Sequence, residues 1–292
     1  MSVLPEAVRA ELASLLAADA SRLNARTVSG GCISPTARVD APDGPVFVKW
    51  NPGHLPVGML AEEAAALGAI GETGTVRVPR VVVVTDRMLV LEWLEPGTAS
   101  RGGWQTLGRM LAGLHRTTSA EWGWPRDNFI GSVPQCNTWS DSGSAFFRER
   151  RIVPRLEAAN AAGAFDASDR TLLERFVETL ADILSACEAD RPSLVHGDLW
   201  SGNAHALADG EVALVDPASS FGHREMDLAM AELFGGFPGA FFDAYEGEWP
   251  TVPEGRAQRR AAFRVYYLLV HVNLFGGSYA RATVAAARAA LG

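Results

Sequence analysis

Lysine is all but missing from this chain. Of 26 basic residues Lys49 is the one lysine, and the rest are arginine. A coding bias towards arginine and alanine accounts for the depletion, and the lysine that persists marks a position suited to a compact ammonium. Cysteine is scarce as well: Cys32, Cys136 and Cys187 are odd in number and share no metal-ligand spacing. That excludes a disulfide framework and points to a reducing compartment, the cytoplasm. Long apolar runs are lacking. The best stretch, residues 265–275, is short and contains His271 and Asn273, so no membrane span is expected. The first twenty residues carry Glu6 and Glu11 and no basic start, which reads as a short amphipathic helix and not a signal peptide. Positive charge is not in excess either: a net charge of -8 speaks against nucleic acid and anionic membranes as partners. What is present is ample apolar side chain, 48% of 292 residues, enough to exclude general disorder and to build two lobes.

The first third reads as strands with one helix. Residues 26–28, 36–40 and 46–50 form an antiparallel meander around a glycine turn (29–36) and a Pro-Asp-Gly turn (42–44). Residues 59–70 read as a helix with Leu60, Ala64 and Leu67 on one side. Two more strands, 81–84 and 88–93, flank Thr85-Asp86-Arg87. Pro96 and Gly97 end this region, which divides the chain into an N-terminal lobe (1–95) and a C-terminal lobe (96–292). The second lobe is mostly helical, with helices at 104–117, 146–161, 168–189, 226–234, 239–245 and 256–274. The short apolar runs 194–195 and 212–215 are expected to pair as a small hairpin. The fold class is α+β. Its apolar helix at 256–274 and the adjoining Phe275 are expected to place Tyr266, Tyr267, His271, Asn273 and Phe275 in the core.

The chemistry concentrates in His196-Gly197-Asp198-Leu199-Trp200-Ser201-Gly202-Asn203, followed by Leu214-Val215-Asp216-Pro217. Asp198, Asn203 and Asp216 border short apolar runs at the spacing that phosphoryl transfer demands. One carboxylate orients the attacking hydroxyl, while an amide and a second carboxylate hold Mg²⁺ on the nucleotide phosphates. Asp198 is the expected catalytic base, and Asn203 and Asp216 are the expected magnesium ligands. His196 is expected to be structural, bonding backbone near the loop. Lys49, at the end of a strand, is placed to reach phosphate oxygens of ATP. Glu63 is its expected partner in preference to Glu62, because Glu63 shares a helix face with Leu67. Gly30, Gly31 and Cys32 lie in the turn whose backbone N–H groups could approach phosphates. Cys32 is either a redox-sensitive thiol or an inert small residue. Glu92 and Leu94, at the end of the last strand, would offer backbone groups to the adenine edge.

These stretches resemble the fructosamine kinase family, the ketosamine 3-kinases. The resemblance rests on residues 195–203 and 216–218, on Gly222-His223-Arg224-Glu225-Met226-Asp227 through Phe237, and on Gly30-Gly31-Cys32-Ile33-Ser34, Leu91-Glu92-Trp93-Leu94, residues 111–115 and residues 128–139. It covers about residues 20 to 285. The shorter His-Gly-Asp…Asn…Asp pattern fits any aminoglycoside phosphotransferase-like kinase; Trp200 and residues 222–237 narrow it. The resemblance implies a bilobal protein kinase-like fold, ATP and Mg²⁺, and transfer of a phosphoryl group to the 3-hydroxyl of a ketosamine. The acceptor would be a small ketosamine or a glycated amine or protein, the outcome deglycation, and the working unit a monomer. Asp227 corresponds to the family aspartate that braces the catalytic loop. Trp200 and His223 are expected to border the sugar, since a polyol needs an aromatic wall and hydrogen-bond partners. Residues 141–146 depart from the family pattern in lacking tryptophan. An aminoglycoside, choline or homoserine kinase remains the alternative, and it calls for a strongly acidic acceptor pocket. A pseudokinase calls for a degraded catalytic set, which this sequence does not have.

Overall fold

The computed structural model describes residues 3–28 and 33–292. Gly30, Gly31 and Cys32, expected at the phosphates, lie outside the described residues. The chain opens with helix α1 (Glu6–Leu15) and strands β1 (Asn24–Thr27), β2 (Thr36–Ala41) and β3 (Gly44–Trp50). Helix α2 (Met59–Glu72) and strands β4 (Val81–Val84) and β5 (Met88–Glu92) follow. The five strands make one antiparallel sheet in the order β1-β2-β3-β5-β4.

Alternation along the strands gives this sheet two apolar faces. Val48, Trp50, Met88 and Val90 pack with Ala37, Val39 and the Leu4, Val8 and Leu12 side chains at the start of the chain. Leu89 and Leu91 point the other way and pack with Leu60, Leu67 and Ile70 of α2. The sheet therefore carries two helices, one per face: α2, and the short N-terminal helix read from the first twenty residues. The same alternation turns Lys49, between Val48 and Trp50, onto the α2 face.

After β5 come α3 (Arg101–His115), the hairpin β6 (Asn128–Ile130) and β7 (Val133–Gln135), α4 (Gly143–Phe146), α5 (Val153–Ala161) and α6 (Ala167–Leu184). Residues 147–152 wind as a π-helical stretch between α4 and α5, so the single helix expected over 146–161 is a composite. Next are β8 (Ser193–Val195), β9 (Ala204–Ala206), β10 (Val212–Leu214), β11 (Ser220–Gly222), α7 (Glu225–Leu233), α8 (Gly239–Glu248), α9 (Arg256–Phe275) and α10 (Ala280–Leu291). The expected hairpin between 194–195 and 212–215 does not form. β8 pairs with β11, and β10 pairs with β9. Strands of three residues carry too little alternation to choose a partner.

One apolar core joins α5, α6, α9 and α10 through Leu156, Phe176, Leu180, Phe263 and Ala287. A second runs from Leu60 and Leu91 through Leu107, Leu111 and Leu214 to Phe241 and Tyr245. It locks the sheet side to α3, β10 and α8, and so fixes the walls between which the polar residues gather. Among the described residues no helix is long and apolar enough to cross a membrane.

Candidate active site

Strand β8 delivers the chain into the loop His196–Asn203. Gly197 turns it, with φ of +84°, and a Cβ there would sit 2.2 Å from the Ala218 carbonyl oxygen, so only glycine fits. The loop hangs on the buried Asp227 of α7. Its carboxylate accepts the His196 N–H at 2.7 Å and the Gly197 N–H at 2.8 Å, and His115 Nε2 at 3.1 Å. His115 Nδ1 in turn meets the Tyr245 hydroxyl at 2.8 Å. Burial works against the charge of Asp227, but these donors hold its carboxyl below the ordinary range. His196 bonds backbone on both nitrogens: Nε2–H donates to Val215 O at 3.0 Å and Nδ1 accepts from Asp198 N at 3.3 Å. Burial keeps the ring neutral by lowering its pKa, so its work is structural.

The β9–β10 pairing brings Asp216 back to this loop: Val215 N–H donates to Asn203 O at 3.0 Å. Asn203 Nδ2 donates to Asp198 O at 2.8 Å and to Asp198 Oδ2 at 3.1 Å. That leaves Asn203 Oδ1 as the amide atom available to a cation. Asp216 adopts a left-handed backbone, φ of +54°, which is unusual for a residue with a Cβ. Lys49 Nζ lies 3.2 Å from Asp216 Oδ2 and 2.7 Å from Glu63 Oε2. Glu62 also borders the cleft but binds Arg126, at 2.7 Å, and not Lys49.

Burial disfavours the Lys49 charge, yet Asp216 and Glu63 outweigh it and hold the ammonium protonated, its pKa above the ordinary lysine value. Burial pushes the Glu63 carboxyl up against the pull of Lys49. Asp198 is pushed up to about 7, by burial first and by the like charge of Asp216 second. A carboxylate with a pKa near neutrality is suited to accept a hydroxyl proton.

Lys49, Glu63, Asp198, Asn203, Asp216 and Trp200 all line one cleft. The Trp200 ring lies flat on Gly202, where a Cβ would meet it at 2.2 Å. Glu92 and Leu94 line an adjoining cavity with Phe47, Leu91 and Val215, and this cavity shares Asp216 with the cleft. The Glu92 carboxylate is engaged by Arg77 and by the Arg80 N–H, and the Leu94 carbonyl accepts from His205 Nε2 at 3.2 Å.

His223 is not brought to the cleft. It is buried against Trp122, ring centroids 4.2 Å apart, and near Cys187 Sγ at 3.6 Å. Burial holds its pKa down to about 4. Its position follows from the pairing of β11 with β8, which sets residue 223 inside the helical packing.

Two residues that the sequence pattern sent to the core, His271 and Phe275, stand in the site instead. With Leu274 and Tyr279 they line a third cavity that shares Asp198 and Trp200 with the cleft. Phe275 is 53% exposed. Tyr266 and Tyr267 are buried as expected. Asn128 and Gly131, also in the cleft wall, belong to a loop whose only sequence signal was its place in the family resemblance.

Antiparallel sheet, helical lobe and the cleft between them define a protein kinase-like phosphotransferase. An aminoglycoside phosphotransferase crystallised with ADP and hygromycin B shares this fold at a TM-score of 0.62 and 14% identity, over 98% of this chain and 99% of that one. The fructosamine kinase family profile matches residues 5–291, and the chain belongs to that family. A relative from Synechocystis, carrying the name probable ketoamine kinase, is 40% identical over 259 residues, 87% of this chain and 85% of that protein. The chloroplastic protein-ribulosamine 3-kinase of Arabidopsis thaliana is 35% identical, over 87% of this chain and 78% of that protein. A Thermobifida fusca crystal structure with a provisional fructosamine-3-kinase name superposes at a TM-score of 0.89 with 33% identity, covering 99% of both chains.

Proposed function

We propose that the chain transfers the γ-phosphoryl group of ATP to the 3-hydroxyl of a ketosamine. The observation that carries this reading is the single cleft in which Lys49, held by Glu63 and Asp216, faces Asp198 and Asn203. Asp198 orients the acceptor hydroxyl and takes its proton as the oxygen bonds to phosphorus and ADP departs. Lys49 meets the phosphates as a point charge. The apolar cavity bounded by Phe47, Leu91 and Leu94 takes the adenine. Phosphate on C3 leaves readily once C1 loses a proton to give the 1,2-enaminol; the nitrogen lone pair expels inorganic phosphate, and water then hydrolyses the resulting C1 imine, freeing the amine from a 3-deoxydicarbonyl sugar.

The donor set fits Mg²⁺. Asn203 offers a free amide oxygen and Asp216 a carboxylate, both hard donors, and Mg²⁺ takes few protein ligands alongside phosphate. When bound, the ion would neutralise charge on the β- and γ-phosphate oxygens. Asn203 and Asp216 would hold it.

The acceptor side favours a ketosamine over a polycationic aminoglycoside, because among the described residues Asp198 is the one carboxylate lining the cavity beyond Trp200. Trp200 supplies the aromatic wall for the sugar. We place the junction of the lobes at residues 95/96, a monomer as the working unit and the cytoplasm as its compartment; the names of the plant relatives place those proteins in the chloroplast.

ADP release coupled to ribulosamine and fructosamine tests the function. ATP turnover that depends on a ketosamine is expected, and Asp198→Ala is expected to abolish it with nucleotide affinity nearly kept. ATP binding with no stimulation by any ketosamine overturns the reading.

A further inference from the structure

Past Trp200 the cleft widens into a cavity of about 460 Å³. Its inner end holds Asp198 and Trp200. Its outer wall is a cluster of four rings from α9, the turn after it and the end of α7. His271 stands at the centre, with centroids 4.8 Å from Phe234, 5.6 Å from Phe275 and 5.0 Å from Tyr279. Phe234 is 40% and Phe275 53% exposed, a large apolar area left to water at the mouth of the cavity. Among the described residues no arginine or lysine lines this cavity.

A ketosamine whose O3 lies at Asp198 carries its amine nitrogen two carbons away, on C1. With the sugar carbons beyond C3 held against Trp200, the nitrogen and its substituent would leave towards the outer wall. There the ring faces attract a protonated secondary amine, and apolar substituents displace water from exposed ring area. A carboxylate on the substituent would find no cation.

We propose that Phe234, Phe275 and Tyr279, packed on His271, form the amine-side subsite, and that it selects ketosamines of neutral alkyl or aryl amines over those of amino acids with a free α-carboxylate. This rests on the ketosamine reading above and goes beyond it by assigning the other half of the substrate.

The test compares N-benzyl, N-methyl and N-carboxymethyl ribulosamine on the full chain. The expected order of kcat/KM is benzyl, methyl, carboxymethyl, with the first at least about tenfold above the last, the scale of one well-filled apolar pocket. Phe275→Ala and Phe234→Ala should raise KM for the benzyl substrate by about tenfold and for the methyl substrate by less than about threefold, so that the benzyl-to-methyl ratio of kcat/KM falls at least about threefold. Both rings are partly exposed, and Phe275→Leu serves as a milder second variant if either alanine variant loses thermal stability. Equal kcat/KM on all three amines, or an unchanged benzyl-to-methyl ratio in the folded variants, overturns the subsite alone. Failure of every ketosamine to stimulate ATP turnover overturns the subsite and the function together.

Discussion

Lys49 and Asp216 lie 3.2 Å apart across the cleft, one on the third strand of the sheet and the other just beyond a hairpin of the helical lobe. With Glu63 at 2.7 Å, the ammonium ties both sides of the cleft to one point. Lys49→Met leaves two buried or half-buried carboxylates without a cation, a change that costs about 3–5 kcal/mol where a buried pair is broken. Turnover is expected to fall at least about a hundredfold. Lys49→Arg is not expected to restore it, because a planar guanidinium cannot replace a compact ammonium between two carboxylates. Steady-state kinetics check both, and normal kcat/KM for Lys49→Met would refute the role.

Asp227 replaces water for two backbone amides at the root of the catalytic loop. Asp227→Asn keeps the volume but presents an NH₂ group to at least one N–H or ring donor. A loss of about 2–4 kcal/mol in stability is expected, the range for leaving buried donors unsatisfied. Asp198 is carried on that loop, so kcat should fall more than the KM for ATP rises. Chemical denaturation and kinetics on one preparation separate the two effects, and a variant with wild-type stability would contradict the bracing role.

Gly202 seats the Trp200 ring. Gly202→Ala places a methyl group 2.2 Å from that ring and must displace it. KM for the acceptor is expected to rise by about tenfold or more, in line with a lost wall of the sugar site. A crystal structure of the variant should show Trp200 in a new rotamer. An unmoved ring with an unchanged acceptor KM would remove Trp200 from the acceptor site.

Stability should depend on pH through three buried histidines. Burial lowers the pKa of His115 and of His196, and that of His223 to about 4. The unfolded chain takes up these protons near pH 6.5, the folded protein only at lower pH. Between those values the unfolded state binds more protons, so stability rises with pH. For His223 the contribution is complete above about pH 6.5 and is lost as pH falls towards about 4; for His115 and His196 it is lost in the same direction, as pH falls through their lowered values. The raised carboxyls of Asp198 and Glu63 act in the opposite sense over the same range, so the test is a difference. The melting temperature of the wild type relative to that of His223→Phe should fall as pH drops from 6.5 to 4.5. A difference that stays constant over that range would show that the His223 ring is not held neutral.

Local spacing made part of the site legible in the sequence. Asp198 and Asn203 sit on one tight loop, so five residues suffice to bring them into contact. Glu63 shares a helix face with Leu67, and that face must look inward. Strand alternation and the scarcity of lysine singled out Lys49. His223 was not legible, because its neighbours Trp122, Cys187 and Phe263 come from three distant segments. Phe275 read as core since periodicity describes a helix and not what covers its last turn.

The sequence alone determined the family, the order of sheet and helices, and the residues able to carry charge to a phosphate. These are set by chemistry within a few residues: alternation, helix periodicity and the bonding of a short loop. Only the tertiary structure decided that β10 returns on β9 to set Asp216 beside Lys49, and that the end of α9 opens onto the cavity beside Asp198 and Trp200. Those outcomes depend on how distant apolar surfaces pack, and three-residue strands or a helix end carry too little pattern to specify a partner.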